Sequence, residues 1–433
     1  MKKINIGLVG FGNVGVGLAK ILTKKKSLIK EKSGAEFFIK WICDKDFKTR
    51  RPIRLPYAKK TRRVNDILND SDIDIVVELI GGIHPAKEII INALKAKKHV
   101  VTANKALLAE EGADIFKAAK RYKRNIYFES SVGAGIPVIK TLREALLANR
   151  VNSIHGIING TSNFILTRMS EAKCSFSEAL YEAKKKGFAE KNASLDIKGI
   201  DTAHKLLILV YLAFGKLFKM EKIFIEGISQ ISLADIEFAK ELKLKIKLLA
   251  IAKKVGNSLD VRVHPTLVPN KHLLSSVSGI FNAIYINTDL MGDLLLYGQG
   301  AGQLTAASGV VSDLIDLAKI IQTKSQNNIN GLVSKKPLLK KLVKIDDIQS
   351  KYYVRFIAID RPGVLAKISG VLGKHGIGIA SVTQKTRRRA RIVPIVMLTH
   401  EAREKNMHLA LEKIYKLAVI REYPVAIRME KEL

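Results

Sequence analysis

Glu190, Asp196, Asp201 and Lys205 fall within one short stretch, Gly187-Phe-Ala-Glu-Lys-Asn-Ala-Ser-Leu-Asp-Ile-Lys-Gly-Ile-Asp-Thr-Ala-His-Lys205, where a polar loop turns into an apolar helix. Asp201 and Lys205 are four apart with the acid first, the favoured order for a helical ion pair. On a solvated surface such a pair is worth only ~0.3–0.5 kcal/mol. Here Ala203, Leu206, Leu207 and Leu209 crowd it, and a solvated helix is rarely so apolar. Burial lowers a lysine's pKa and a nearby carboxylate raises it. A lysine balanced between those influences can trade a proton with an alkoxide. Upstream lies a glycine-rich nucleotide loop, Gly10-Phe-Gly-Asn-Val-Gly15. Together they equip a dehydrogenase for a small polar substrate carrying an amino-acid head.

The loop follows a predicted strand and opens a predicted helix, the context in which this spacing holds dinucleotide phosphates. Gly10 allows the tight turn, Gly12 lets backbone approach a pyrophosphate, and Gly15 lets helix pack on strand. Phe11, Asn13 and Val14 complete the loop, and the helix start offers N–H groups to anions. A tight turn without ligand is the plainer alternative. Asp44, ending the second strand, can accept from a ribose 2′-hydroxyl, which favours NAD. Lys45, Arg50 and Arg51 follow it and can hold a 2′-phosphate instead, so NAD and NADP both stay open.

Val101-Thr-Ala-Asn-Lys105 ends a strand at the edge where open α/β sheets bind ligands. Lys105 can polarise a carbonyl there, although a random surface lysine is an equal rival. Asn159-Gly-Thr-Ser-Asn163 supplies neutral donors, Asn159 and Thr161 among them, for a substrate or for helix capping. Glu129-Ser-Ser-Val-Gly-Ala-Gly-Ile136 has glycines that let carbonyls turn inward, which could suit a monovalent cation without requiring one. Cys174 has no base at useful spacing and Cys43 sits inside a strand, so a thiol-acylating aldehyde dehydrogenase is disfavoured. The histidines lack paired-ligand spacing, which argues against a catalytic transition metal.

Elements that would position these groups follow from periodicity. Strands are predicted at 4–9, Phe37–Cys43, Ile73–Ile80, His99–Thr102 and Ile126–Phe128, with helices at Val14–Thr23 and Pro85–Ala96 between them. Such alternation implies a parallel sheet covered on both faces. Beyond residue 135, strands at Ile154–Ile158, Ile223–Ile228, Leu259–Pro265 and Ile280–Thr288, with helices at Asp201–Phe214 and Ala234–Val255, suggest an α+β domain with a largely open sheet. Tyr297-Gly-Gln-Gly-Ala-Gly302 leads into a helix at Ala306–Ile321 that should return to the first domain. The last part reads βαββαβ, the ferredoxin-like order. The expected α/β organisation is a Rossmann-type nucleotide-binding domain at 1–135 completed by helix 305–321, a catalytic and dimerisation domain at 136–304, a linker at 322–350 and a ferredoxin-like unit at 351–433.

The chain has 433 residues, 47% of them hydrophobic, enough for a sizeable core. No apolar run approaches the ~20 residues that cross a bilayer. The first residues enter a strand at once, which predicts no export signal. Two widely spaced cysteines fit a reducing cytoplasm. Lys and Arg total 74 against 40 acids, a formal +34. That field attracts anions, but the basic residues are dispersed, so specific nucleic-acid binding is disfavoured. The densest cluster is Lys385-Thr-Arg-Arg-Arg-Ala-Arg391.

These residues resemble homoserine dehydrogenase over nearly the whole chain. The resemblance rests on Gly7-Leu-Val-Gly-Phe-Gly-Asn-Val-Gly15, Glu78-Leu-Ile-Gly-Gly82, Val101-Thr-Ala-Asn-Lys-Ala-Leu-Leu108, Ser131-Val-Gly-Ala-Gly-Ile-Pro137, Gly156-Ile-Ile-Asn-Gly-Thr161, Gly187–Lys205 and Gly300-Ala-Gly302. Asn192 and Ala193 depart from it, since the family usually has an acid and a proline there. The resemblance implies NAD(P)-dependent interconversion of L-homoserine and L-aspartate 4-semialdehyde, in threonine, methionine and isoleucine biosynthesis. It implies Lys205 as proton donor, Lys105 at the reacting end and cofactor, and Glu190 and Asp201 as substrate holders, Glu190 at the ammonium group. It further implies cofactor contacts at Phe11, Asn13, Val14, Lys105 and Gly302. A sodium ion is implied at Glu129, Val132, Ala134 and Ile136. Asp360-Arg-Pro-Gly-Val-Leu365 and His375-Gly-Ile-Gly378 look like an ACT domain, which implies a threonine effector and a homodimer or homotetramer. The rival from another class is a ligand-sensing regulatory protein with non-specific nucleic-acid affinity.

Overall fold

The structure is a computed structural model that describes residues 2–323, 339, 341–384 and 392–430. The basic cluster Lys385–Arg391 and much of the expected linker lie outside the described residues. Contacts divide the chain into two units. One comprises Met1–Gly160, Asp201–Ile223 and Ile280–Lys340, the other Thr161–Ile200, Phe224–Gly279 and Lys341–Leu433.

The first unit is built on β1 (Lys2–Val9), β2 (Ala35–Cys43), β3 (Lys59–Thr61), β4 (Ile75–Glu78), β5 (His99–Thr102) and β6 (Ile126–Tyr127). They run parallel in the order β3-β2-β1-β4-β5-β6, a doubly wound sheet whose switch point lies between β1 and β4. The apolar run of β1 is continuous because helices cover both its faces. Ile4, Ile6 and Leu8 are fully buried, and they pack in one core with Val310, Leu314 and Leu317 of the helix Gln303–Thr323. Burying each such side chain stabilises by ~1.5–3 kcal/mol.

One expectation needs correction in this sheet, and one strand lies outside the expected set. The strand expected at Ile73–Ile80 is shorter, because the Glu78 side chain takes the Ile80 and Gly81 N–H groups and turns the chain out. The short β3, Lys-Lys-Thr, carries no apolar pattern and was not foreseen. The same unit holds an antiparallel sheet of Val151–Ile157, Phe281–Thr288 and Asp293–Gln299.

In the second unit the helix expected over Ala234–Val255 is wrong. A helix spans Leu233–Glu241, and a strand spans Leu244–Val255. Lys243 breaks the run with φ 59°, a left-handed conformation that a lysine does not advertise. That strand forms a hairpin with Ser258–Pro269, longer than the expected Leu259–Pro265. The strand expected at Ile223–Ile228 shrinks to Phe224–Ile225.

The C-terminal βαββαβ unit has strands Gln349–Ile359, Ile379–Gln384, Ile392–Thr399 and Val425–Met429, with helices Val364–Lys374 and Glu404–Tyr415. Its sheet is antiparallel, with Gln349–Ile359 flanked by Val425–Met429 and Ile392–Thr399. Tyr352, Phe356, Ile368, Leu372, Met407 and Ile414 form its core. Val425–Met429 also pairs in parallel with Ser258–Pro269, so this sheet runs on into the hairpin without a seam.

Candidate active site

The glycine loop sits at the switch point. Gly10 has φ +97°, and a Cβ there would stand 2.8 Å from the Leu79 carbonyl. Only glycine accepts that combination. The helix Asn13–Lys24 starts from Gly12 with no side chain capping its first N–H groups. Those open donors and the positive end of the helix dipole face any anion placed there. Gly12 and Asn13 are exposed, Val14 is half-buried, and Phe11 and Gly15 are buried.

Asp44 does more than its sequence position suggested. Its Oδ2 accepts the Phe11 N–H at 2.5 Å and its Oδ1 the Asp46 N–H at 2.8 Å, so the carboxylate pins the glycine loop. Arg51 Nε donates to the Phe11 carbonyl at 3.0 Å. Lys45 and Arg62 line the adjoining cavity of about 570 Å³ with Gly10, Gly12, Asp44 and Ile80.

Across the switch point, the buried Glu78 accepts the Ile80 N–H at 2.8 Å and the Thr102 hydroxyl at 2.6 Å. Asn104 donates to the Gly82 carbonyl at 2.6 Å and caps the helix Lys105–Tyr122 by accepting the Leu107 N–H at 3.2 Å. This net fixes the start of the helix, and Lys105 is its first residue.

Asp201 and Lys205 lie one turn apart on the helix Ile200–Phe214. Lys205 Nζ donates to Asp201 Oδ2 and to the Ile158 carbonyl, both at 2.7 Å. Asp201 Oδ2 also accepts from Asn159 Nδ2 at 2.8 Å, and its Oδ1 meets Lys105 Nζ at 2.9 Å. Lys205 is 8% exposed and Asp201 6%, so this is no solvated surface pair. Burial alone would raise the Asp201 pKa. Lys205 and Lys105 outweigh it and hold the carboxyl well below the usual carboxylate range. His204 meets Glu110 at 2.9 Å, a second tie between the helices that carry Lys205 and Lys105.

In the second unit, Thr161 Oγ1 donates to the Phe188 carbonyl at 2.7 Å and Ser162 Oγ to the Asp196 carbonyl at 3.0 Å. The hydroxyls expected as substrate donors or caps thus hold the Gly187–Lys198 loop. Glu190 on that loop is exposed.

Glu129 is buried, and its two oxygens accept the Ile139 and Lys140 N–H groups at 3.0 and 2.9 Å. Burial pushes its pKa up to about 7 against the pull of those N–H groups and of Arg143. Gly133 and Ala134 take positive φ values of 69° and 52°, and Val132, Ala134 and Ile136 are buried.

The structure therefore gathers Lys105, Asn159, Asp201 and Lys205 into one cluster of the first unit, which also carries the glycine loop and Asp44. One residue of this unit went unnoticed. Gln303 follows the exposed Gly302, donates to Asn13 Oδ1 at 2.8 Å, and accepts from Lys20 Nζ at 2.9 Å. The only signal near it was the glycine-rich approach Tyr297–Gly302.

A buried Lys205–Asp201 pair, in one unit with a glycine-rich loop at the switch point of a doubly wound parallel sheet, is the setting of a nicotinamide-dependent dehydrogenase. Residues 10–129 match the family described as homoserine dehydrogenase, NAD binding domain, residues 137–315 match homoserine dehydrogenase, and residues 352–419 match the ACT domain. The homoserine dehydrogenase of Neisseria gonorrhoeae is 40% identical over 99% of both chains. The crystal structure of a homoserine dehydrogenase from Thiobacillus denitrificans superimposes with TM-score 0.92 at 39% identity, over 99% of both chains. A hyperthermophilic archaeal homoserine dehydrogenase in complex with NADPH superimposes with TM-score 0.62 at 30% identity, over 74% of this chain and 98% of that one. The chain belongs to the homoserine dehydrogenase family and carries a C-terminal ACT domain. The reading as a regulatory protein that binds nucleic acid is set aside. No helix among the described residues is long and apolar enough to cross a membrane.

Proposed function

We propose that this enzyme interconverts L-homoserine and L-aspartate 4-semialdehyde, with Lys205 as the group that moves the proton. One observation carries the assignment: the buried Lys205 ammonium is held between Asp201 Oδ2 and the Ile158 carbonyl, both at 2.7 Å. A bound nicotinamide dinucleotide supplies or accepts the hydride. In reduction Lys205 gives a proton to the oxygen that becomes the hydroxyl, and in oxidation it takes that proton back. Asp201 holds Lys205 and Lys105 in register, which fixes the direction of transfer. Lys105 stabilises negative charge on the reacting oxygen. Glu190 binds the substrate ammonium, and Asn159 and Thr161 complete the substrate contacts.

Gly10, Phe11, Gly12, Asn13, Val14, Gly15 and Gly302 hold the dinucleotide. Asp44 and Lys45 lie at its ribose end, and Arg62 joins Lys45 on the same cavity, which favours the 2′-phosphate of NADP. The archaeal relative bound to NADPH supports the same preference. Glu129, with the carbonyls of Val132, Ala134 and Ile136, would hold a sodium ion that shapes this loop. In the ACT domain, the cavity lined by Asp360, Arg361, Gly363, Leu365 and Gln384 suits a small amino acid, and threonine is the effector we assign. The working form is a homodimer or homotetramer in the cytoplasm, where Cys43 and Cys174 stay free. Steady-state homoserine oxidation with NAD and with NADP, each with and without threonine, tests the whole assignment. Absence of turnover with either cofactor would end it.

A further inference from the structure

Asn282 lies on the strand Phe281–Thr288, opposite Gly298 of the neighbouring strand. Its side chain is completely buried, and neither Oδ1 nor Nδ2 has a hydrogen-bond partner among the described residues. A buried polar atom left unpaired costs ~1–3 kcal/mol. A leucine of similar size would avoid that cost, so the amide calls for an explanation.

Its neighbours supply one. A Cβ at Gly300 would stand 2.1–2.3 Å from Cγ, Oδ1 and Nδ2, so the Gly300 backbone lies flat against the amide. A Cβ at Gly160 would come 3.6 Å from Oδ1 and 2.8 Å from the Ile280 carbonyl. The amide is thus wedged between two glycines. Gly160 follows Asn159, which bonds Asp201 of the proton-transfer cluster. Gly300 leads through the exposed Ala301 and Gly302 to Gln303, which bonds Asn13 of the glycine loop. Gly302 has φ +136°, a conformation that a side chain would resist, so the loop is backbone-permissive just beside the amide.

We infer that Asn282 is a positioning residue, whose carboxamide completes its hydrogen bonds with the backbone of Gly300–Ala301–Gly302 when the dinucleotide binds. The amide then sets the loop's distance from the Asp201 cluster, and so the placement of the cofactor relative to Lys205. The inference rests on the proposed function only for the identity of the cofactor.

The test is Asn282→Leu in the full-length chain, compared with wild type by thermal melting with and without NADPH and by steady-state kinetics. Without cofactor the variant should melt at or above the wild-type temperature. With NADPH its rise in Tm should fall below half that of wild type, and its KM for NADPH should increase about tenfold, the scale of one lost hydrogen bond. A purely structural role would lower the melting temperature instead. A wild-type rise in Tm together with a wild-type KM for NADPH would overturn the inference. Should the variant not fold, hydrogen exchange of wild type serves in its place. NADPH should slow exchange at residues 300–303, and unchanged exchange there refutes the idea. Melting and exchange need only cofactor binding, so they judge Asn282 even if homoserine proves not to be the substrate.

Discussion

Buried charge gathers in both units, but the cations differ. The first unit's cluster sets the buried Lys205 and the half-exposed Lys105 around the buried Asp201. In the second unit the buried ion pairs around the ACT strand Val425–Met429 are built mainly on arginine, with Lys253 beside them, and the buried Lys247 stands apart. Arg428 donates to Glu404 through Nε and Nη2 at 2.8 and 2.5 Å, and through Nη1 to Glu226 at 2.7 Å. Arg355 grips Asp235 with both ends of its fork, at 2.7 and 3.2 Å. Arg262 and Lys253 share Glu430. A guanidinium keeps its proton and fixes two oxygens in one plane, whereas an ammonium can give a proton up. In the proposed function the lysine cluster moves a proton. The arginine cluster binds the ACT strand Val425–Met429 to helix Glu404–Tyr415 and to the segment containing Glu226, and is equipped for geometry.

Four experiments break or sharpen that contrast. Lys205→Ala should lower kcat by about 10²–10⁴, with NADPH still bound by fluorescence titration, and Lys205→Arg should not restore it. Rapid turnover by the arginine variant would erase the distinction. Arg428→Met should cost ~3–5 kcal/mol in urea unfolding, because it strands buried Glu404, while kcat per folded molecule stays within about threefold. Arg428→Lys should recover little, since one ammonium cannot replace the fork.

The third experiment follows from Asp201, whose folded pKa lies below its ordinary 3.8. Its contribution to stability is present above that value and lost as pH falls through the folded pKa. Between pH 4 and 2, wild type should therefore lose stability more steeply than Asp201→Asn, measured by urea midpoints. The smallest effect concerns Glu129, raised by burial from 4.5 to about 7. A raised carboxyl works in the opposite sense, so stability should fall as pH climbs through that window. Sodium chloride should raise Tm by a degree or more, roughly, over choline chloride at pH 7.5, with the gap narrowing at pH 5. Equal melting in both salts would remove the sodium site.

Much of this was legible because the relevant signals are local. The run Ile-Asn-Ile-Gly-Leu-Val before Gly10 spells a strand buried on both faces. Asp201 and Lys205 declare their pairing by a spacing of four. Lys105 and Asn159 show nothing of their bonds to Asp201, because those contacts join distant stretches of chain. Arg428 and Glu226, 202 residues apart, are equally silent. The Leu244–Val255 strand was misread because its apolar residues satisfy either period until Lys243 turns left-handed. Asp44 is legible as a carboxylate ending the second strand, but no spacing reveals that it also accepts the backbone N–H of Phe11.

The helix Gln303–Thr323 has a consequence for synthesis. It packs on β1 in one core, yet the ribosome makes it long after β6. At about 5–20 residues per second, the nascent sheet waits on the order of ten to forty seconds for its missing layer. Through that interval Ile4, Ile6 and Leu8 lack the helix they finally pack against. A fragment stopped near residue 135 should precipitate or cling to chaperones, although it contains every strand of the nucleotide-binding sheet.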